Sequence, residues 1–258
     1  MDDERQPTEL SPRAIVRELK LCTATLTLWP LLKDEARGTP DDRMRALELA
    51  PVIGFAVGVA LAVIDHALAA LLSPGVRSIA VLVIAFAAML GLPSRGIADT
   101  AEALRQGARV GPTGLSRIGP LGAAVAIAAF ALEAIVLARI GSAAGRASAI
   151  VMSQMLGRFA IVPVAYGLRP LERWGLGLPY EVAVTFREFG VASVIALGLT
   201  TVLYQNIGLI VVVAFAVVVL LMRLAFSRRL GGVAGYTLGG ASAIAELAVL
   251  ATVAALVR

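Results

Sequence analysis

The sequence predicts an all-α fold: a polytopic transmembrane helical bundle of about seven spanning helices, preceded by an amphipathic or partly inserted N-terminal segment. Three observations predict it. Apolar residues make up 59% of the 258 residues and the mean hydropathy is +0.85, above the roughly one-half apolar content of soluble domains. The excess is Ala, Val, Leu, Ile and Gly, with aromatics at only 5%, a composition suited to lipid-facing and closely packed helices. The apolar runs match the ~20 residues a helix needs to span a bilayer, about twice the alternating segments of a membrane barrel. The cations, finally, segregate between alternate connecting segments.

The elements follow in order. Residues 1–20 are polar, a loose tail leading into a short helix, and they lack the apolar core of a signal peptide. This predicts a cytoplasmic N-terminus. The remaining residues, 21–258, read as a single membrane domain. Residues 21–32 are apolar but too short to span, and Pro30 ends them; residues 33–48 form a charged loop. Spanning helices are expected at about 49–72, 76–93, 119–138, 147–167, 190–204, 207–223 and 238–257. The fifth and sixth form a hairpin turning near Gln205 and Asn206. Loops are expected over 94–118, 168–189 and 224–236, the last basic and glycine-rich. Gly54 with Gly58, and Gly235 with Gly239, have the spacing that lets helices approach closely. No internal repeat of the transporter type is evident.

With the N-terminus inside, the inner segments carry eighteen Lys and Arg and the outer segments four, Arg77, Arg139, Arg146 and Arg258. That bias follows the positive-inside rule and predicts a multi-pass membrane protein with its N-terminus inside. The net charge of +5 therefore reports topology, and nucleic acid is not an expected partner. Cys22 is the only cysteine and His66 the only histidine, which excludes an intrachain disulfide, a cysteine-type metal cluster and a multi-histidine zinc site.

Candidate chemistry concentrates in the inner loops. Asp99 and Glu102 are three apart and share a face on a helix. Paired carboxylates beside arginines can hold Mg²⁺ against a diphosphate. On spacing alone the plainer reading is two solvated charges at a helix start, where acids favour the dipole. Ser116 and Arg117 lie between Gly114 and Gly119, a pattern that can present a hydroxyl, a guanidinium and backbone N–H groups to phosphate, or serve as a flexible connector. Arg158 follows Gly157 in the middle of a span, where a charge is costly and marks a functional candidate. The structural alternatives are a pair with Glu133 or snorkelling to an interface. Asp65, His66 and Glu246 raise the same question, with packing the plainer role for His66. Arg228 and Arg229, followed by Gly231 and Gly232, suit phosphate or anionic lipid.

In order and spacing these segments resemble the cobalamin synthase family, the adenosylcobinamide-GDP ribazoletransferases, over about residues 19–256. The resemblance is carried by Leu28-Trp29-Pro30, by Pro51 with Gly54, and by Gly96, Ala98, Asp99, Ser116, Arg117, Gly119, Gly157, Arg158, Arg228, Arg229, Gly231, Gly232, Gly235, Gly239 and Glu246. It implies phosphoryl transfer, in which a hydroxyl of α-ribazole or its 5′-phosphate displaces GMP from adenosylcobinamide-GDP. It also implies corrinoid-nucleotide and ribazole substrates, a lipid bilayer, and as further partners another copy of the chain or other cobalamin-pathway proteins. Asp99, Glu102 and Arg117 would be catalytic; Ser116, Arg158, Arg228, Arg229 and Glu246 would bind substrate or phosphate.

The family's Mg²⁺ would fall to Asp99 and Glu102, but the chain departs from the pattern there. Arg95, Leu115 and Tyr236 stand at three acidic positions, and Ser242 and Ala243 replace an asparagine and a glutamate. These departures open a second reading, a non-catalytic paralogue that binds without turnover. A third, without positive support in the residues, is a small transporter or lipid-phosphate enzyme.

Overall fold

The computed structural model describes residues 12–26, 40–89, 91–107, 119–171 and 183–257. Helix α1 is Pro12–Leu26, α2 is Pro40–Ala46, and a 3₁₀ turn at Leu47–Leu49 leads into α3, Ala50–Leu68. Then come α4 (Pro74–Ala88), α5 (Leu92–Gln106), α6 (Pro120–Ala138), α7 (Ala143–Ala165), α8 (Phe186–Leu230) and α9 (Gly235–Leu256). Among the described residues, six stretches are long and apolar enough to cross a membrane, and the bent pair α4–α5 raises the number to seven if it forms one span.

Helix α7 is the central pillar, buried along almost its whole length. Around it pack α3, α9 and the two arms of α8. Helix α3 turns a stripe of Ala50, Gly54, Gly58, Leu61 and Asp65 inward, the i, i+4, i+8 spacing that puts residues on one helical face. A Cβ at Gly54 would lie 2.5 Å from the Gln154 carbonyl oxygen, and one at Gly58 would lie 2.8 Å from Val151 Cα. The glycine pair in α3 therefore lets two backbones touch. Helices α4 and α6, by contrast, bury few residues and present most of their aliphatic surface outward, where lipid replaces water as solvent.

The predicted spans over 49–72, 119–138, 147–167 and 238–257 form helices close to those bounds. The hairpin also forms: α8 consists of α8a, Phe186–Gln205, and α8b, Ile207–Leu230. Gln205 breaks it with φ 46°, ψ −124°, and Gly208 returns against the Thr200 carbonyl.

Four expectations need correction. The expected loop at 94–118 begins as a helix, α5, lying at 85° to α4. Gly91 makes the corner with φ 65°, and its missing side chain leaves room for the Phe86 ring, 2.5 Å from where a Cβ would stand. A side chain there would be strained and blocked at once. The basic stretch expected as a loop after residue 223 is still helix through Leu230; Gly231, at φ 78°, caps it. Arg228 and Arg229 thus sit on the last turn, where cations favour the helix dipole. Arg146, expected in the outer segment before the 147–167 span, lies on α7. The N-terminal helix, meanwhile, runs across residue 20 rather than starting after it, with Leu21, Cys22 and Leu26 buried against the bundle.

One end of the bundle gathers the C-termini of α5, α7 and α8 and the N-terminus of α9. Leu171 N donates to the Val233 carbonyl at 2.8 Å and Val233 N donates to the Arg169 carbonyl at 3.0 Å, which ties two connecting segments together. Arg223 donates to the carbonyls of Pro163 and Tyr166, closing the end of α7, where Pro163 removes a helix N–H.

Candidate functional site

Two small clefts meet at Arg158. One, about 50 Å³, lies among α4, α5, α6, α7 and α9, with Glu133, Gln154, Arg158 and Glu246 in its wall. The other, about 20 Å³, runs between Leu26, Pro93, Gly96, Tyr236 and Ser242. These volumes suit one or a few waters, not a whole substrate. They leave Arg158, only 3% exposed, as the charge shared by both.

Arg158 is held on three sides. It pairs with Glu246 Oε1, donates from Nη1 to Ser242 Oγ at 3.2 Å, and donates from Nη2 to Gln154 Oε1 at 3.0 Å. Gln154 Nε2 donates to Glu246 Oε2 at 3.0 Å, and Ser242 donates to Glu246 Oε1 at 3.0 Å. The ring closes on itself, so the charge is fixed in orientation. Gly157 is where it must be: a side chain there would collide with Glu246. Glu133 lies in the same cleft and feels the charges of Glu246 and Arg158. The direct partner of Arg158 is therefore Glu246 of α9, not Glu133 as the sequence suggested. Gln154 and Ser242 were missed. Their signal was present: each stands four residues before a charged partner, Gln154 before Arg158 and Ser242 before Glu246, on helices that are otherwise apolar.

Helix α5 crosses α9 where glycine meets glycine. A Cβ at Gly96 would lie 2.5 Å from the Gly239 carbonyl carbon, and Thr100 Oγ1 donates to the Tyr236 carbonyl at 3.2 Å. This crossing buries Asp99 to 1% exposure. Neither Asp99 oxygen has a hydrogen-bond partner among the described residues. Its ion partner is Arg95, one turn back, with Nε 3.4 Å from Oδ2. Tyr236 feels the charge of Asp99 and also lines the smaller cleft, so the Asp99 and Arg158 clusters adjoin.

Glu102 shares the inner face of α5 but serves another purpose. Its Oε1 accepts from Leu121 N at 3.1 Å and Gly122 N at 3.2 Å, and its Oε2 accepts from Arg105 Nε at 3.0 Å. It therefore caps α6 from outside, satisfying amides that the first turn of a helix leaves free. Arg228 and Arg229 are exposed at the end of α8, with the Arg229 carbonyl close to Gly107. Ser116, Arg117 and Leu115 lie outside the described residues.

Magnesium takes one or two carboxylates together with waters and substrate phosphates. Among the described residues, no group of three or more His, Cys, Asp or Glu could hold a metal ion. Asp99 offers two unengaged oxygens, but Arg95 already faces it. A divalent ion there would meet the guanidinium; unit charges ~4 Å apart interact by ~4 kcal/mol at an effective dielectric of ~20. Glu102 has both oxygens occupied. The described residues Asp99 and Glu102 do not fit a magnesium ion.

Comparison with known proteins agrees with the resemblance in the sequence. The family described as cobalamin-5-phosphate synthase matches residues 18–254. The chain is 31% identical over 207 residues to the adenosylcobinamide-GDP ribazoletransferase of Roseiflexus sp. (strain RS-1), covering 78% of this chain and 76% of that protein. No solved structure matches the chain significantly.

Proposed function

From the premise that this chain belongs to the cobalamin-5-phosphate synthase family, we propose that it joins α-ribazole, or its 5′-phosphate, to adenosylcobinamide-GDP with release of GMP. The observation that carries this reading is the fixed guanidinium of Arg158 at the junction of two clefts. In the reaction a ribazole hydroxyl oxygen forms a bond to the phosphorus attached to the cobinamide. The phosphorus–oxygen bond to GMP breaks, and the hydroxyl proton leaves to solvent. Negative charge spreads over the phosphoryl oxygens as this happens, so oriented cations in a desolvated setting lower the barrier.

The chain's own residues divide the work. Arg158 supplies a cation whose direction is set before substrate arrives, held by Glu246, Gln154 and Ser242. Arg228 and Arg229, exposed on the last turn of α8, attract the anionic nucleotide from the aqueous side. Ser116 and Arg117 belong to the same phosphate-handling set by their match to the family pattern. The cation bias supports a cytoplasmic N-terminus in a bacterial inner membrane, which puts this end of the bundle where a nucleotide-linked substrate arrives.

The test is GMP release by the purified protein in lipid nanodiscs supplied with adenosylcobinamide-GDP and α-ribazole, with and without Mg²⁺. Release above background supports the reading. No release from protein shown to be folded overturns it. The ion pair of Asp99 with Arg95 favours a second reading, a paralogue that binds without turnover. Rescue of a synthase-null strain by this chain alone excludes that second reading.

A further inference from the structure

We infer that Arg95 is a built-in cation, covalently carried by α5, that occupies the position beside Asp99 where a divalent ion would sit and binds a substrate diphosphate without metal. This rests on the reading that the substrate carries a nucleoside diphosphate. Asp99 is almost fully buried and neither of its oxygens is hydrogen-bonded among the described residues. A buried carboxylate in that state needs a positive charge at close range. Arg95 supplies it from the preceding turn, with Nε buried at 3.4 Å from Oδ2 and likewise without a hydrogen bond.

The other side of the guanidinium is different. The Arg95 side chain is 29% exposed, and of its nitrogens only Nε is both buried and unpartnered. The terminal amino groups donate no hydrogen bond to any described residue and are not among the buried, unpartnered atoms. Asp99 thus engages Nε of a planar fork and leaves its terminal nitrogens without a partner among the described residues. Those nitrogens have the geometry to take two phosphate oxygens at once. The carboxylate acts on the arginine as it would on a metal, orienting a cation that in turn meets the anion. A guanidinium cannot lose its charge and cannot be chelated away, so binding at this position is independent of divalent ions.

The experiment uses the full-length protein in nanodiscs, with GDP as the binding probe and Mn²⁺ as a paramagnetic probe of divalent-ion binding. GDP is expected to bind equally well with excess EDTA and with millimolar Mg²⁺. Arg95→Gln is expected to weaken GDP binding at least about tenfold, the loss of one charge-assisted contact, and Arg95→Lys to recover part of it. Arg95→Asp is expected to gain a Mn²⁺ site that the parent lacks and that Asp99→Asn removes. Unchanged melting temperatures for Arg95→Gln and Arg95→Lys tie these effects to the site. Loss of GDP binding on adding EDTA to the parent overturns the inference, as does a parent Mn²⁺ site abolished by Asp99→Asn, or an Arg95→Gln variant that binds GDP like the parent. GMP release that requires Mg²⁺ would sustain the proposed transfer while overturning this inference. Metal-independent GDP binding that depends on Arg95, without transfer, would do the reverse.

Discussion

Helix α7 carries two buried arginines about 18 Å apart along its axis, and they illustrate opposite uses of a charge inside a membrane protein. Arg146, near the start of α7, is fully buried. It grips both oxygens of Asp65, at 3.0 and 2.5 Å, and also reaches Ser78 Oγ at 3.3 Å and the Leu137 carbonyl at 2.5 Å. Arg77 approaches the same aspartate at 3.4 Å. One guanidinium therefore joins α3, α4, the end of α6 and α7, and it lines none of the clefts around Arg158. Arg158 is almost as buried and just as well partnered, yet it forms part of the wall of two clefts. Burial of a charge does not by itself separate structure from function. What differs is that Arg158 itself lines two clefts, whereas at the other cluster it is Asp65 and Arg77, not Arg146, that border a cleft of about 540 Å³.

That contrast can be broken by substitution, and the largest effect is expected at the structural site. Arg146→Ala leaves Asp65 buried without its main partner, so a loss of about 3–5 kcal/mol is expected, read as a collapse in the yield and melting temperature of protein in detergent. A stable Arg146→Ala protein would dissolve the distinction. At the other site, Arg158→Lys preserves the charge but not the three-way fork. Transfer activity is expected to fall about 10²-fold or more, the scale of losing one oriented electrostatic contact, with a smaller change in melting temperature than Arg146→Ala produces. Equal losses of stability and activity at Arg158 would make it a second structural clamp.

Gly54→Ala addresses the packing that runs between the two clusters. Its Cβ would press on the Gln154 backbone, and overpacking of about 1–3 kcal/mol is expected. Because that Cβ would also lie 3.0 Å from Arg158 Cγ, activity is expected to fall further than at Gly58→Ala, which meets Val151 and Gln154 but not Arg158; comparing the two variants in the transfer assay checks this. The smallest effect is a reporter rather than a perturbation. Cys22 is buried, and burial pushes its thiol above the ordinary cysteine value, which keeps the reactive thiolate scarce. Maleimide is expected to label folded protein very slowly and Arg146→Ala rapidly, so the label reads the opening of the bundle directly.

The long apolar helices were legible because a spanning segment must satisfy its backbone internally over about 20 residues, and that leaves a plain signature. Helices α3, α6, α7 and α9 fall near their expected bounds, and the hairpin reverses at Gln205 as expected. Helix α5 was not legible. Over Leu92–Gln106 it carries Arg95, Asp99, Glu102 and Arg105, and such a segment reads as a loop unless a neighbour accepts its inner face. The neighbour is α9, through Gly96 against Gly239 and Gly240. The end of α8 was read short for a related reason: arginines look like loop residues, although the last helical turn favours them.

The candidate residues show the same division. Arg158 and Glu246 were each recognisable as costly charges within spans, but two helices far apart in sequence had to pack before they became one pair. Asp99 and Glu102 looked equivalent at a spacing of three; the N-terminus of α6 took one, and the glycine crossing buried the other. The sequence by itself determined the membrane class, the cation bias, most of the helices and the family, because all of these are written in local composition and order. Only the tertiary structure decided which charges are clamps, which line a cleft and which guanidinium faces Asp99. Those outcomes depend on distances between helices, and a linear pattern does not contain them.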